Sequence, residues 1–145
     1  MKTRRRARRV VLETLYEYDI VEHDPAEVLE RRLEENTMER AGIEFATHLV
    51  LGVVEHLGHM DMLIARYAPE WPLDQMAVID RNILRIAIFE FLISEQTPVK
   101  VAINEAVELA KTYGSDSAPR FVNGVLGTLA DQVGELKEEF LAVPT

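Results

Sequence analysis

The apolar residues Ile43, Ala46, Val50, Val53, Leu57, Met60, Ile64 and Tyr67 recur at spacings of 3, 4, 3, 4, 3, 4 and 3. An α-helix turning every 3.6 residues places all eight on one side, whereas a strand, with its period of two, would scatter them over both faces. Uninterrupted, the segment from Ile43 to Tyr67 predicts a helix of roughly 37 Å at a rise of about 1.5 Å per residue. Similar spacing governs Val99, Ala102, Ile103, Ala106, Ala110 and Tyr113, and again Val122, Leu126, Leu129, Val133, Leu136 and Phe140. No stretch alternates convincingly, and Asn123-Gly124 falls inside a helical pattern instead of joining two β-branched runs. The chain is expected to be all-α.

Capping residues and prolines divide it. A first helix is expected from about Arg6 to Glu22, with Val11, Leu15 and Tyr18 turned inward. Asp24, Pro25 and Glu27 then supply an N-cap carboxylate, a proline at N1 and a glutamate at N3, which opens a short helix to about Glu35. The prolines of Pro69-Glu70-Trp71-Pro72 restrict themselves and their predecessors. They predict a hinge between an N-terminal helical half, about 1–68, and a C-terminal half, about 73–145. Asp74 is expected to cap a helix from about Gln75 to Ser94, in which Ile79, Ile83, Leu84, Ile86, Ala87, Ile88, Phe91 and Leu92 leave little polar face. Such breadth predicts a central, nearly enclosed helix. Thr97 and Pro98 read as N-cap and N1 of the next, Gly114 stops it, and a last helix from Ser117–Pro119 runs toward Phe140 and frays near Pro144. The expectation is one domain over 1–145 with six to seven helices, long enough to bury a core without metal or disulfide support.

Charge is distributed unevenly. The first nine residues hold Lys2, Arg4, Arg5, Arg6, Arg8 and Arg9 and no acid, leaving ten of the sixteen basic residues against all twenty-five acidic ones in the remainder. A chain of net charge −9 built this way can hold a polyanion at one end although its body would repel one. RNA fits, because a guanidinium forks two donors onto a phosphate and stacks on unpaired bases. The alternative is a disordered solubilising tail. Ala7 and the apolar run Val10, Val11, Leu12 and Leu15 argue against it by carrying the arginines into a helical pattern.

Several chemistries find no support. With no cysteine there is no disulfide, thiolate zinc site or cysteine nucleophile. His56 and His59 sit three apart beside Glu55, but the surrounding sequence matches no zinc-hydrolase motif, and exposed helix histidines are the expectation. No nucleophile elbow, phosphate loop or dinucleotide fingerprint occurs. Neither metal nor cofactor is expected. The arginines at the start are followed by Glu13, Glu17 and Asp19, not by an apolar leader, and no stretch approaches a membrane-spanning length, so a cytoplasmic protein is expected.

Two longer strings go beyond composition. The run from Pro98 to Lys111 reads Pro-Val-Lys-Val-Ala-Ile-Asn-Glu-Ala-Val-Glu-Leu-Ala-Lys, and that from Arg120 to Leu126 reads Arg-Phe-Val-Asn-Gly-Val-Leu. With Arg4 to Arg9, the Leu15-Tyr16 pair and Leu84-Arg85-Ile86-Ala87 before Glu90, they resemble the NusB family of bacterial transcription antitermination factors along essentially the whole chain. The resemblance implies a non-enzymatic, all-helical protein that binds the single-stranded boxA element of ribosomal RNA transcripts. It would act together with NusE, a ribosomal small-subunit protein, in an antitermination complex on RNA polymerase. It leaves open whether the free protein forms a homodimer.

Carried over residue by residue, the resemblance puts the arginine-rich RNA-binding motif on Arg4, Arg5, Arg6 and Arg8, with Arg9 as an added cation. Tyr16 would contact RNA and partner at their junction, and Asp80 would belong to the same junction. Asp116, Ser117, Arg120 and Phe121 would complete the RNA contacts, although Phe121 reads equally as a core residue. Asn104 and Asn123 are expected to bond between helices rather than read bases. Gly127 stands where an acidic residue is common in the family. Two other readings compete: a NusB-like module in ribosomal RNA modification, whose further α/β domain is not expected within 145 residues, and a helical protein-interaction module with a merely solubilising arginine tail.

Overall fold

Every patterned segment is helical in the computed structural model, which describes residues 2–142. Among the described residues there are eight α-helices and no strand. The chain forms two compact units, Met1–Leu57 and Gly58–Thr145.

In the first unit, α1 (Lys2–Val21) packs on both α2 (Pro25–Glu35) and α3 (Arg40–Glu55). Ala7, Val11, Leu12 and Leu15 of α1 are buried, as are Val28 and Leu29 of α2 and Ala46, Leu49, Val50 and Val53 of α3. Each large aliphatic side chain withdrawn from water contributes about 1.5–3 kcal/mol, so this apolar face carries α1 in spite of its charged start. Tyr18, expected inside, is half-buried. After Val21 the chain leaves the helix at Glu22, whose φ of 56° is a left-handed conformation found here without glycine. The Asp24 cap forms as expected, Oδ1 accepting from the Ala26 amide at 3.1 Å, with proline in the first turn.

The expected 25-residue helix is two. α3 ends at Glu55, His56 turns out of helical geometry with φ −106° and ψ 21°, and α4 (Leu57–Tyr67) follows. Spacing could not reveal this, because one residue leaving the helix hardly disturbs a 3,4 repeat. His56 and His59 are half-buried, not exposed, and among the described residues no group of side chains could hold a metal ion.

In the second unit, α5 (Val78–Ile88) packs against α6 (Val99–Tyr113) and α7 (Ala118–Ala130), which also pack on one another. Ile83, Leu84, Ile86 and Ile88 are almost wholly buried, as the apolar breadth of this segment predicts. The helix continues as a π-helical turn, Phe89–Ile93, which packs against α6 and α8 (Val133–Ala142). Arg85 is 4% exposed, and its charge is met by a two-pronged bond to Asp61, at 2.7 and 2.8 Å, and by Asn82 Oδ1 at 3.0 Å. Paired this way, a buried guanidinium is tolerated where an unpaired one would not be.

Four local expectations fail. Asp74 does not cap α5: it sits in a 3-10 turn, Leu73–Gln75, and Ala77 precedes the helix. Thr97 does not cap α6, because its buried hydroxyl donates to Glu90 Oε1 at 2.7 Å. The last helix is broken between Ala130 and Val133 into α7 and α8. Asn104 and Asn123, expected to bond between helices, are exposed. The fraying expected near Pro144 lies outside the described residues.

Candidate nucleic-acid interface

The arginines of the first unit are helical from the start of α1. Arg4, Arg5, Arg6 and Arg9 are exposed, whereas Arg8 is only 3% exposed. The Arg4 and Arg8 guanidinium carbons stand 4.5 and 5.0 Å from the ring centroid of Phe45 on α3, within cation–π range. Arg6 donates to the Thr37 carbonyl at 2.8 Å. Arg5, Arg9 and Tyr16, spaced 4 and 7 apart, share one strip of α1, and Tyr16 is 41% exposed. The strip thus offers cations followed by an accessible aromatic ring.

A charged clasp fixes the other flank of α1. Glu17 accepts from Arg31 and from Arg32 (2.9 Å), both on α2, and lies 2.9 Å from His23 Nδ1. The Arg31 bond first, then His23 and Arg32, hold its carboxyl down at about 2.

The second unit contains a cleft of about 500 Å³. Its lining includes Trp71 and Met76 from the segment between α4 and α5, Asp80 from the first turn of α5, and Ser117, Arg120 and Phe121 around the start of α7. Bare backbone at Gly114 is part of the construction. A Cβ there would stand 2.5 Å from Ala118 Cβ and 2.9 Å from the Ala110 carbonyl, with Asp80 Oδ1 at 3.5 Å. Asp80 Oδ1 is buried with no hydrogen-bond partner among the described residues, and burial pushes its carboxyl above the usual range. Arg120 is exposed and Phe121 half-buried, so one cation and one aromatic surface border an unmatched acceptor.

Four site residues expected from the sequence, Asp80, Ser117, Arg120 and Phe121, therefore line one cleft. Asp116 is exposed nearby in sequence. Tyr16 belongs to the first unit and Asp80 to the second. Sequence reasoning missed Trp71 and Met76 because it read the Pro69–Pro72 segment only as a break. The signal was there: the chain's single tryptophan lies between two prolines, where no helical core could take it, and it is 53% exposed.

The NusB family model matches residues 5–131. The chain belongs to the NusB family. It is 50% identical over 137 residues to the transcription antitermination protein NusB of Roseiflexus sp. (strain RS-1), covering 93% of this chain and 96% of that protein. NusB of Dehalococcoides mccartyi (strain CBDB1) is 46% identical over 140 residues, 94% of this chain and 98% of the relative. Among solved structures, T. maritima NusB superposes with a TM-score of 0.84 at 37% identity, covering 94% of this chain and 96% of that one. A structure of the antitermination factors NusB and NusE in complex with double-stranded RNA matches with a TM-score of 0.83 at 28% identity, over 90% of this chain and 98% of that one. NusB proteins are transcription antitermination factors, not enzymes. Within the NusB pattern, Leu84-Arg85-Ile86-Ala87 is explained by packing and the Asp61 clamp, and the Pro98–Lys111 string forms most of α6.

Proposed function

We propose that this chain acts in the cytoplasm as one RNA- and partner-binding domain, taking the boxA element of nascent ribosomal RNA together with NusE and working within the antitermination complex of RNA polymerase. The observations that carry the proposal are an exposed helical arginine strip in the first unit and, in the second, a cleft that holds a cation, aromatic surface and an unmatched acceptor. Phosphates would be met by Arg4, Arg5, Arg6 and Arg9, and by Arg120 at the cleft. Phe121 and Trp71 offer faces for unstacked bases, which proteins that read single strands commonly use. Tyr16 and Asp80 would contact RNA and NusE where the two meet. The solved complex of a relative with NusE and RNA supports both partners.

Fluorescence anisotropy of a labelled boxA RNA, with and without NusE and against a scrambled RNA of equal length, tests this directly. Binding should prefer boxA and tighten with NusE. Five exposed arginines on single-stranded phosphate predict a slope of log K against log salt of roughly −3.5, at about −0.7 per contact. A slope near zero would sink the RNA reading. Trp71 is the chain's only tryptophan, so its intrinsic fluorescence should change as the cleft fills.

A further inference from the structure

The start of α1 is electrostatically a poor helix. Its first turn contains no acid, so Arg4 and Arg5 meet the positive end of the helix dipole. Arg4 with Arg8, and Arg5 with Arg9, are like charges at the i, i+4 spacing that destabilises helices. Isolated, such a segment would fray. It is nonetheless helical from Lys2, so contacts beyond α1 must hold it.

Those contacts come from α3 and the turn before it. A Cβ on Gly42 would stand 2.6 Å from Thr3 Cγ2 and 2.8 Å from Met38 Sδ, so glycine lets the first turn of α1 come close to α3. One turn along α3, the ring of Phe45 takes the guanidinium groups of both Arg4 and Arg8. A ring quadrupole attracts each cation and offsets part of their mutual repulsion. Phe45 itself is 7% exposed, so an aromatic side chain otherwise suited to the core is spent under two arginines. Arg6 bonded to the Thr37 carbonyl pins the opposite side of the same turn.

We propose that Phe45 is a positioning residue for RNA: through Arg4 and Arg8 it keeps the arginine segment helical before RNA arrives, so that Arg5 and Arg9 are presented as a preformed strip. This rests on the RNA reading given above. Its consequence is a reduced ordering cost on binding. Arg8 then serves the strip from beneath instead of touching phosphate.

The test compares Phe45→Leu, Phe45→Tyr and Leu49→Ala in the full chain. Leu49 is buried one turn further along α3 and, being aliphatic, takes no cation–π contact, so it serves as a control for stability alone. Three quantities are read: anisotropy of labelled boxA RNA, hydrogen-exchange protection of the amides of residues 4–9, and thermal unfolding. Phe45→Leu should weaken RNA binding about tenfold, the loss expected for one or two cation–π contacts. It should also expose residues 4–9 to exchange, while Phe45→Tyr restores both. Leu49→Ala, assayed below its unfolding midpoint, should keep the wild-type affinity. Wild-type affinity for Phe45→Leu, or an equal loss in Leu49→Ala, overturns the proposal. If the wild-type chain binds no RNA, the RNA reading itself fails and the positioning role falls with it; RNA binding with residues 4–9 equally protected in Phe45→Leu rejects the positioning role alone.

Discussion

The arginine strip of the first unit and the cleft of the second solve different physical problems. Along the start of α1, four exposed cations ride on a helix whose apolar face is buried, and interaction with an anion would require only that they be held in place. In the cleft, selectivity would depend on shape and on Asp80 Oδ1, a polar atom without a partner among the described residues, which a ligand would have to satisfy or leave unmatched. The first kind of site is governed by salt. The second is governed by which groups a ligand brings.

Their dependence on the fold differs too, and the largest expected effect exposes it. Ile83 lies one turn beyond Asp80 on α5 and is fully buried. Ile83→Ala should cost about 2–5 kcal/mol in chemical denaturation, the range for emptying a buried aliphatic site. A neutral result would mean that α5 is not the frame of the cleft. Next in size is the combined Arg5, Arg6 and Arg9 to alanine variant. It should weaken RNA binding about a hundredfold and flatten the salt slope by about 2 units at roughly 0.7 per lost contact. Helical content, measured by circular dichroism, should hardly change.

Phe121→Ala sharpens the contrast. Removing one base-stacking surface should cost about 1–3 kcal/mol of RNA binding, in the range measured for aromatic platforms. Unlike the arginine variant, it should leave the salt slope unchanged. If Phe121→Ala lowers the slope, or the arginine variant does not, the assignment of charge to one region and stacking to the other is wrong.

The two regions were unequally legible in the sequence. The helices were readable because burial imposes a period, and the arginine strip because six cations without an acid are visible in any register. The breaks at His56 and at Asp131–Gln132 were not, since a one- or two-residue departure preserves the apolar spacing on both sides. Arg8 looked equivalent to its neighbours, and only Phe45, far along the chain, makes it a buried support. Four cleft residues were reached through resemblance to NusB strings. Trp71 and Met76 escaped because a cleft is a property of segments distant in sequence, and proline-rich punctuation says where a helix stops but not what the intervening side chains face. The Thr97 cap failed for a similar reason: a buried Glu90 competes for its hydroxyl, and local sequence cannot show that competitor.

The smallest expected effect concerns the two carboxylates that mark the regions, because their titrations are displaced in opposite directions. Glu17 is held at about 2 by Arg31, His23 and Arg32, below its reference of 4.5, so the unfolded chain binds the proton more tightly than the folded one. Its contribution is fully present above pH 4.5 and is lost as pH falls toward 2. Asp80 is raised above its reference of 3.8 by desolvation, so here the folded chain binds the proton more tightly. Its ionisation therefore subtracts stability as pH rises above 3.8 and through the folded value. Glu17→Gln should remove a stabilising contribution at neutral pH and flatten the acid limb of the unfolding profile. Asp80→Asn should instead raise neutral-pH stability, with the gain shrinking toward low pH. Chemical denaturation of both variants from pH 2 to pH 7 checks the signs. Parallel curves would show that Asp80 is not a strained acceptor, and its unmatched oxygen would then be an ordinary solvated carboxylate, not a feature kept for a ligand.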